Sequence, residues 1–329
     1  MKKFFLILAA GVSAAWISGC ADRNLEQPYQ WSQRASAFES LDAGGTAEGF
    51  AADLCVIPAD ESWDDPMVNA EAAAVFDLSD KDVIFGKNAF RRLYPASTTK
   101  VMTALLAIKY GNLDDVVTVT EDAVITESGA TLAHIEPGDQ ITLGQLLYGL
   151  MLPSGNDAGA AIAVHMAGSI EKFADMMNEE ARSLGATGTH FVNPHGLNDP
   201  EHYTTAYDLY LIFNEALKQP YFRQVIGTTA YTAQYTDADG NPVTQTWKGG
   251  NWYMTGERET PEGLTVLGGK TGTTNAAGYC LIMAVQDEAQ KEYVSVVMKA
   301  GSRPDLYANM TQITVSYTHL RAHETAANL

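Results

Sequence analysis

The stretch that follows Pro95-Ala96 limits what this 329-residue chain can fold into more than any other part of it. From Ser97 to about Tyr110, closed by Gly111-Asn112, the pattern predicts a helix, and apolar residues at 101, 102, 104, 105, 106 and 108 nearly surround it. A helix apolar on almost every side belongs at the centre of a domain. Its first turn nevertheless carries Ser97 and Lys100, three residues apart and so on one face. The burial that stabilises the helix therefore carries a hydroxyl and an amine into the interior together.

That pair has a chemical meaning. A serine hydroxyl is a poor nucleophile until a base removes its proton. Lysine acts as the base only where burial and a second cation favour its neutral form. The apolar helix provides the first condition, and Lys270 of Lys270-Thr271-Gly272 is the candidate for the second. Between them, Ser154-Gly155-Asn156 reads as a tight turn. There Ser154 can relay a proton between Lys100 and a leaving amine, and Asn156 can hydrogen-bond both a lysine and a substrate amide.

At the helix start the Ser97 N–H is free and lies along the helix dipole. With a second N–H from the strand carrying Lys270-Thr271-Gly272-Thr273 it would form an oxyanion hole. Gly268, Gly269 and Gly272 are expected to let a substrate backbone approach that strand edge. The three strings in this order specify acyl transfer on a serine nucleophile. One alone does not, since Ser169-Ile170-Glu171-Lys172 repeats the Ser-x-x-Lys spacing without the company of the others.

Ala72 to Leu78 and Asp82 to Phe85 read as a hairpin across Ser79-Asp80-Lys81. Helices are expected over 144–152, 157–167, 170–184 and 206–217, then a Gly- and Thr-rich region, then strands at 264–267, 278–285 and 293–299. Strands at both ends and helices between predict an α+β domain over 51–313: a sheet built by the two ends, with an inserted helical subdomain.

Lys2, Lys3 and the apolar run from Phe4 to Ile17 form an export signal over 1–19. Ile17-Ser18-Gly19-Cys20 resembles the lipobox of bacterial lipoproteins. This implies a lipidated Cys20, a flexible tether over 20–50, and an anchor on the outer face of the cytoplasmic membrane. The alternative is a soluble secreted protein cut near Cys20. Val315 to Thr325 matches the in-frame translation of a transposase-type sequencing adapter, so 314–329 is set apart from fold reasoning, and no metal site is built on His319 and His323.

Forty acidic residues against 21 basic ones give a formal charge of −19, which argues against nucleic acid and against charge-driven binding to an anionic membrane. Cys55 and Cys280 sit in apolar, strand-like strings and read as buried free thiols rather than a disulfide.

Longer strings carry a resemblance. Pro95-Ala96-Ser97-Thr98-Thr99-Lys100, Leu152 to Ala158, Phe191-Val192-Asn193-Pro194-His195-Gly196-Leu197, Thr204 to Asp208, and Gly269 to Thr274 with Ala277-Gly278-Tyr279 resemble the low-molecular-mass D-alanyl-D-alanine carboxypeptidases among the serine penicillin-binding proteins. The resemblance covers roughly residues 70 to 313. It implies a penicillin-recognising fold, an antiparallel sheet flanked by helices with the site at the junction with a helical subdomain. It makes Ser97 the nucleophile, Lys100 the base, Ser154 and Asn156 relay and positioners, and Lys270 with Thr271 an electrostatic wall. Thr273 would supply the second oxyanion N–H, and Arg303 would hold the substrate's terminal carboxylate. The implied partners are peptidoglycan pentapeptide and β-lactam inhibitors, with no cofactor and no metal.

A triad role for His195 is declined, since a lysine base leaves it no task; His195 and Asp208 read as loop or helix supports. The same motifs serve DD-transpeptidases and class A β-lactamases. The latter add a glutamate that clears the penicilloyl ester, and no Glu-x-x-Leu-Asn occurs here. A non-catalytic wall-binding lipoprotein is the alternative of another class, opposed by the intact Ser97, Lys100 and Lys270.

Overall fold

The computed structural model describes residues 53–57, 63 and 65–327. The expected export signal, Cys20 and the tether to residue 50 lie outside the described residues.

Strands β1 (Ala72–Asp77) and β2 (Asp82–Lys87) form the expected antiparallel hairpin. The carboxylate of Asp77 closes its turn, accepting hydrogen bonds from the backbone N–H of Ser79 at 2.8 Å and of Asp80 at 2.9 Å. The predicted central helix is α1 (Lys100–Tyr110), in which every residue from Lys100 to Ala107 is buried. It starts later than expected, because Ala96–Thr99 forms a 3₁₀ turn instead. The hydroxyl of Thr98 donates to the Pro95 carbonyl and that of Thr99 to the Ala96 carbonyl, both at 2.8 Å. Such local side-chain bonds compete with the α-helical ladder.

Next come β3 (Val116–Thr118), β4 (Gln140–Thr142), α2 (Leu143–Met151), α3 (Asn156–Ala167), α4 (Ile170–Ser183), α5 (Ala206–Leu217) and α6 (Pro220–Ile226). The second Ser-x-x-Lys is now explained as an end cap. Ser169 Oγ accepts from the Lys172 N–H at 3.2 Å at the start of α4.

The Gly- and Thr-rich region holds structure that the sequence did not announce. It contains β5 (Ala230–Thr236), β6 (Pro242–Lys248) and the single turn α7 (Trp252–Thr255). With the two short strands before α2 it makes a second sheet of order β3-β4-β5-β6. In β5 Tyr231, Ala233 and Tyr235 alternate with the exposed Thr232 and Gln234, a period-2 signal that was present but masked by the Gly- and Thr-rich surroundings.

The chain then forms β7 (Leu264–Thr274), β8 (Gly278–Asp287), β9 (Glu292–Ala300) and α8 (Arg303–Ala327). The main sheet runs β2-β1-β9-β8-β7, antiparallel throughout, built from the two ends of the domain as expected. Its faces alternate residue by residue. Ala74, Ile282 and Val296 join the helical core around α1, while Ala73, Leu281 and Val297 pack with Leu306, Tyr307, Met310 and Ile313 of α8. That helix continues unbroken to Ala327, into the segment set apart at 314–329, and neither Gly nor Pro occurs between Asp305 and Ala327 to end it. Cys55 and Cys280 are free and buried, and burial raises both thiols to about 11.

β7 is longer than the expected 264–267 and contains a bulge between Val266 and Gly268. Val266 pairs with Val285 and faces α8, whereas Lys270 pairs with Ile282 and faces the helices. The extra residue reverses the facing of everything downstream.

Candidate active site

The 3₁₀ turn leaves Ser97 half-buried, and α1 sets Lys100 beneath it. Lys100 is wholly buried, and its Nζ lies 3.1 Å from Ser97 Oγ, 2.6 Å from Asn156 Oδ1 and 2.6 Å from the His195 carbonyl. Burial holds its pKa well below the ordinary value, and the charge of Lys270 adds to this, while Asp157 opposes. A neutral amine has two N–H groups and one lone pair. The two short contacts to carbonyl oxygens take the N–H groups, which leaves the lone pair for the Ser97 hydroxyl.

The His195 carbonyl reaches Lys100 because loop 191–204 is fastened onto α1. Thr103 donates to the Pro194 carbonyl at 2.6 Å, and the backbone N–H of Val192 donates to His202 Nδ1 at 3.1 Å. That bond places the His202 proton on Nε2, from which it is given to Thr99 Oγ1 at 2.8 Å. Both histidines are buried and fall to about 3, so they are neutral. His195 is thus a loop support that lends a backbone carbonyl, and its ring takes no part in a triad. Asp208 is a support too, accepting from Thr189 Oγ1 at 2.7 Å.

Ser154 occupies the turn between α2 and α3, as predicted, whereas Asn156 is already the first residue of α3. Ser154 adopts the left-handed region at φ 63°, an unfavourable conformation for a residue with a Cβ. Lys270 Nζ donates to Ser154 Oγ at 3.0 Å and to the Thr271 carbonyl at 2.8 Å. Burial lowers the Lys270 pKa to about 7. Two hydrogen-bonded groups therefore meet in one place: Ser97, Lys100 and Asn156 on one side, Ser154 and Lys270 on the other.

β7 closes the opposite wall. A Cβ on Gly272 would stand 2.8 Å from Ser97 N, 2.9 Å from the Pro95 carbonyl and 3.0 Å from Thr98 N. The absence of that atom lets the nucleophile turn lie against the strand. This corrects the expectation that the three glycines admit a substrate backbone. At Gly268 the atom would overlap the Ile226 carbonyl and at Gly269 the Ile282 carbonyl, so all three make room for the protein's own backbone. Gly272→Ala is expected to push the turn from β7 and slow covalent labelling of Ser97 about 10²-fold, with a stability loss of about 1–3 kcal/mol. Stopped-flow acylation and thermal melting measure the two separately.

Thr271 and Thr273 pair with Leu281 and Tyr279, which places their side chains on the α8 face, opposite to Lys270. β7 is the outermost strand, so its free edge offers backbone N–H groups to the cleft. Arg303 opens α8 with its guanidinium 5.6 Å from the Trp252 ring centroid, and among the described residues it makes no hydrogen bond to the groups above.

Sequence reasoning missed Asp157. It is buried, accepting from the backbone N–H of Ala133 at 2.7 Å, of Ala158 at 2.9 Å and of Ile135 at 3.2 Å. Its place one residue after Asn156 was the available signal.

Comparison with known proteins identifies the family. A family model described as D-alanyl-D-alanine carboxypeptidase matches residues 59–302. D-alanyl-D-alanine carboxypeptidase DacF of Bacillus subtilis is 32% identical over 250 residues, covering 74% of this chain and 61% of the relative. A D-alanyl-D-alanine carboxypeptidase of a Streptomyces species is 35% identical over 242 residues, covering 70% and 80%. The crystal structure of a Streptomyces DD-transpeptidase superposes with a TM-score of 0.70 at 33% identity, covering 77% of this chain and 98% of that one. The chain spans about three fifths of the length of the Bacillus relative. It belongs to the D-alanyl-D-alanine carboxypeptidase family.

Proposed function

We propose that the protein is a serine D-alanyl-D-alanine carboxypeptidase that removes the terminal D-alanine of peptidoglycan stem peptides and is acylated by penicillin. The observation that carries this reading is the buried Lys100 amine, its lone pair facing Ser97 Oγ at 3.1 Å. Ser97 Oγ attacks the carbonyl of the penultimate D-alanine while its proton passes to Lys100. The negative oxygen meets the N–H of Ser97 and that of Thr273 on the free edge of β7. As the peptide bond breaks, Ser154 relays the proton held by Lys100 to the leaving amine, which returns Lys100 to its neutral form. Water then cleaves the ester and regenerates the serine. Asn156 orients Lys100 and the substrate amide, and Lys270 forms the wall facing the terminal carboxylate; Thr271, expected beside it, has its side chain on the α8 face and contributes only its backbone there. Arg303 joins that wall only by leaving Trp252.

The same reading places the protein outside the cytoplasmic membrane, held by a lipid on Cys20. Transpeptidation uses the same acyl-enzyme with an amine in place of water, and the name of the similar Streptomyces structure keeps it as the second reading.

The test is to incubate the protein with benzylpenicillin and with a peptide ending in D-Ala-D-Ala. Intact mass should rise by one penicilloyl group, mapped to Ser97 and persisting well beyond seconds, and D-alanine should appear. No adduct and no D-alanine would overturn the carboxypeptidase. Turnover of penicillin within seconds would favour a β-lactamase.

The lysines set the pH dependence. The competent form has Lys100 neutral and Lys270 protonated, so kcat/KM rises with pH through the lowered Lys100 pKa and falls as Lys270 loses its proton at about 7. A bound substrate carboxylate favours the Lys270 ammonium. The alkaline limb of kcat should therefore lie above that of kcat/KM.

A further inference from the structure

Ser154 holds a conformation that its own backbone disfavours, so something must impose it. Its carbonyl accepts from Thr131 Oγ1 at 2.6 Å, and the N–H of Asn156 donates to the Thr131 carbonyl at 2.9 Å. The segment 131–135 that makes these bonds has no helix or strand of its own. On its inner side Asp157 takes the N–H groups of Ala133 and Ile135. On its outer side the Ala133 carbonyl accepts two hydrogen bonds, from Gln245 Nε2 at 2.7 Å and from Trp247 Nε1 at 2.8 Å, both on β6. Two donors occupy both lone pairs of one carbonyl.

Packing fixes the same point. Ala133 is fully buried, and a Cβ on Gly155 would stand 2.7 Å from its Cβ and its N. A Cβ on Gly149 would stand 3.2 Å from both the Ala133 Cβ and Trp247 Cη2. Two glycines thus open a slot for Ala133, with the buried Trp247 ring at its rim, stacked in turn on Tyr231.

We propose that Trp247 and Gln245 are positioning residues for the Ser154–Asn156 relay, acting through the Ala133 carbonyl and the 131–135 strap. The β5–β6 hairpin, remote in sequence from the Ser154-Gly155-Asn156 turn, thereby sets the hydroxyl that moves the proton. This deepens the carboxypeptidase reading and rests on it.

The test is the pair Trp247→Phe and Gln245→Met, singly and together, made with and without Ser154→Ala. Phe keeps an aromatic ring, though one smaller than the buried indole, and Met keeps the stem length, while one or both donors are removed. Expected is a 10- to 100-fold lower acylation rate by benzylpenicillin in the double variant, smaller losses in the singles, and a KM for the D-Ala-D-Ala peptide within about threefold of wild type. In the Ser154→Ala background the same changes should cost less than threefold, because the hydroxyl is gone and only the Asn156 contact to Lys100 is left for them to disturb. An equal loss in both backgrounds, or an unchanged rate beside a lowered melting temperature, would overturn the proposal. If the double variant does not fold, Trp247→Phe alone in both backgrounds decides. Amide exchange at Asn156 gives a readout that needs no activity. It should quicken in the variants, and unchanged protection would also overturn the clamp, whereas an unlabelled wild type would count against the carboxypeptidase reading instead.

Discussion

Ser97→Ala is expected to abolish covalent capture of penicillin and to lower D-alanine release by about 10⁶-fold, the cost of removing a nucleophile from a site that works as a unit. The fold should hardly notice. Among its neighbours the Ser97 hydroxyl meets Lys100 Nζ at 3.1 Å, and that amine keeps Asn156 and the His195 carbonyl. Melting should thus shift by no more than an ordinary substitution outside the core allows. The Ser97 backbone N–H, Lys270 and the β7 edge remain, so benzylpenicillin should still compete reversibly for the cleft. Intact mass and a competition assay on one sample measure both. An adduct in the variant, or release within tenfold of wild type, would remove Ser97 from its role.

Lys270→Met is expected to separate activity from stability. Acylation should fall by about 10²–10³-fold, the usual cost of losing one electrostatic stabiliser. Stability should move the other way. The folded pKa is about 7 against 10.5 for an ordinary lysine. Below pH 7 the ammonium exists in both folded and unfolded chains, and the folded state carries the whole cost of burying it. Between 7 and 10.5 the unfolded chain holds a proton that the folded one has shed, so stability climbs with pH. At 1.36 kcal/mol per unit this slope is worth on the order of 5 kcal/mol in the wild type and is absent from the variant. The bonds lost to Ser154 Oγ and the Thr271 carbonyl offset roughly 1 kcal/mol each. Denaturant unfolding should find the variant more stable at pH 6, with the difference closing by pH 10. Parallel curves across that range would mean that Lys270 is charged throughout.

The parts of this fold that the sequence disclosed are those where one signal dominates. α1 was legible because its apolar residues left no exposed face, and α5 (Ala206–Leu217) matched to the residue because Thr205 caps it. The nucleophile turn was misread as helix because local hydroxyl bonds, which periodicity does not register, decided it. The second sheet went unseen because β6 buries little beyond Trp247 and rests on bonds to a loop more than a hundred residues earlier. The motif residues Ser97, Lys100, Ser154, Asn156 and Lys270 come together as expected. Of their supports, Asp157 was signalled only by its place beside Asn156, and the His195 carbonyl depends on long-range geometry that no spacing encodes.

The irregularity at Gly268 gives β7 two phases. Upstream of it the strand serves the packing beneath α8; downstream it serves chemistry. Losing a single residue at that crook would leave an unbroken ribbon whose alternation returns the ammonium to the wrong side, with nearly every rung to β8 intact. One deleted codon could therefore silence the enzyme while sparing its shape, a route to inactivity that a survey of motif letters alone would overlook.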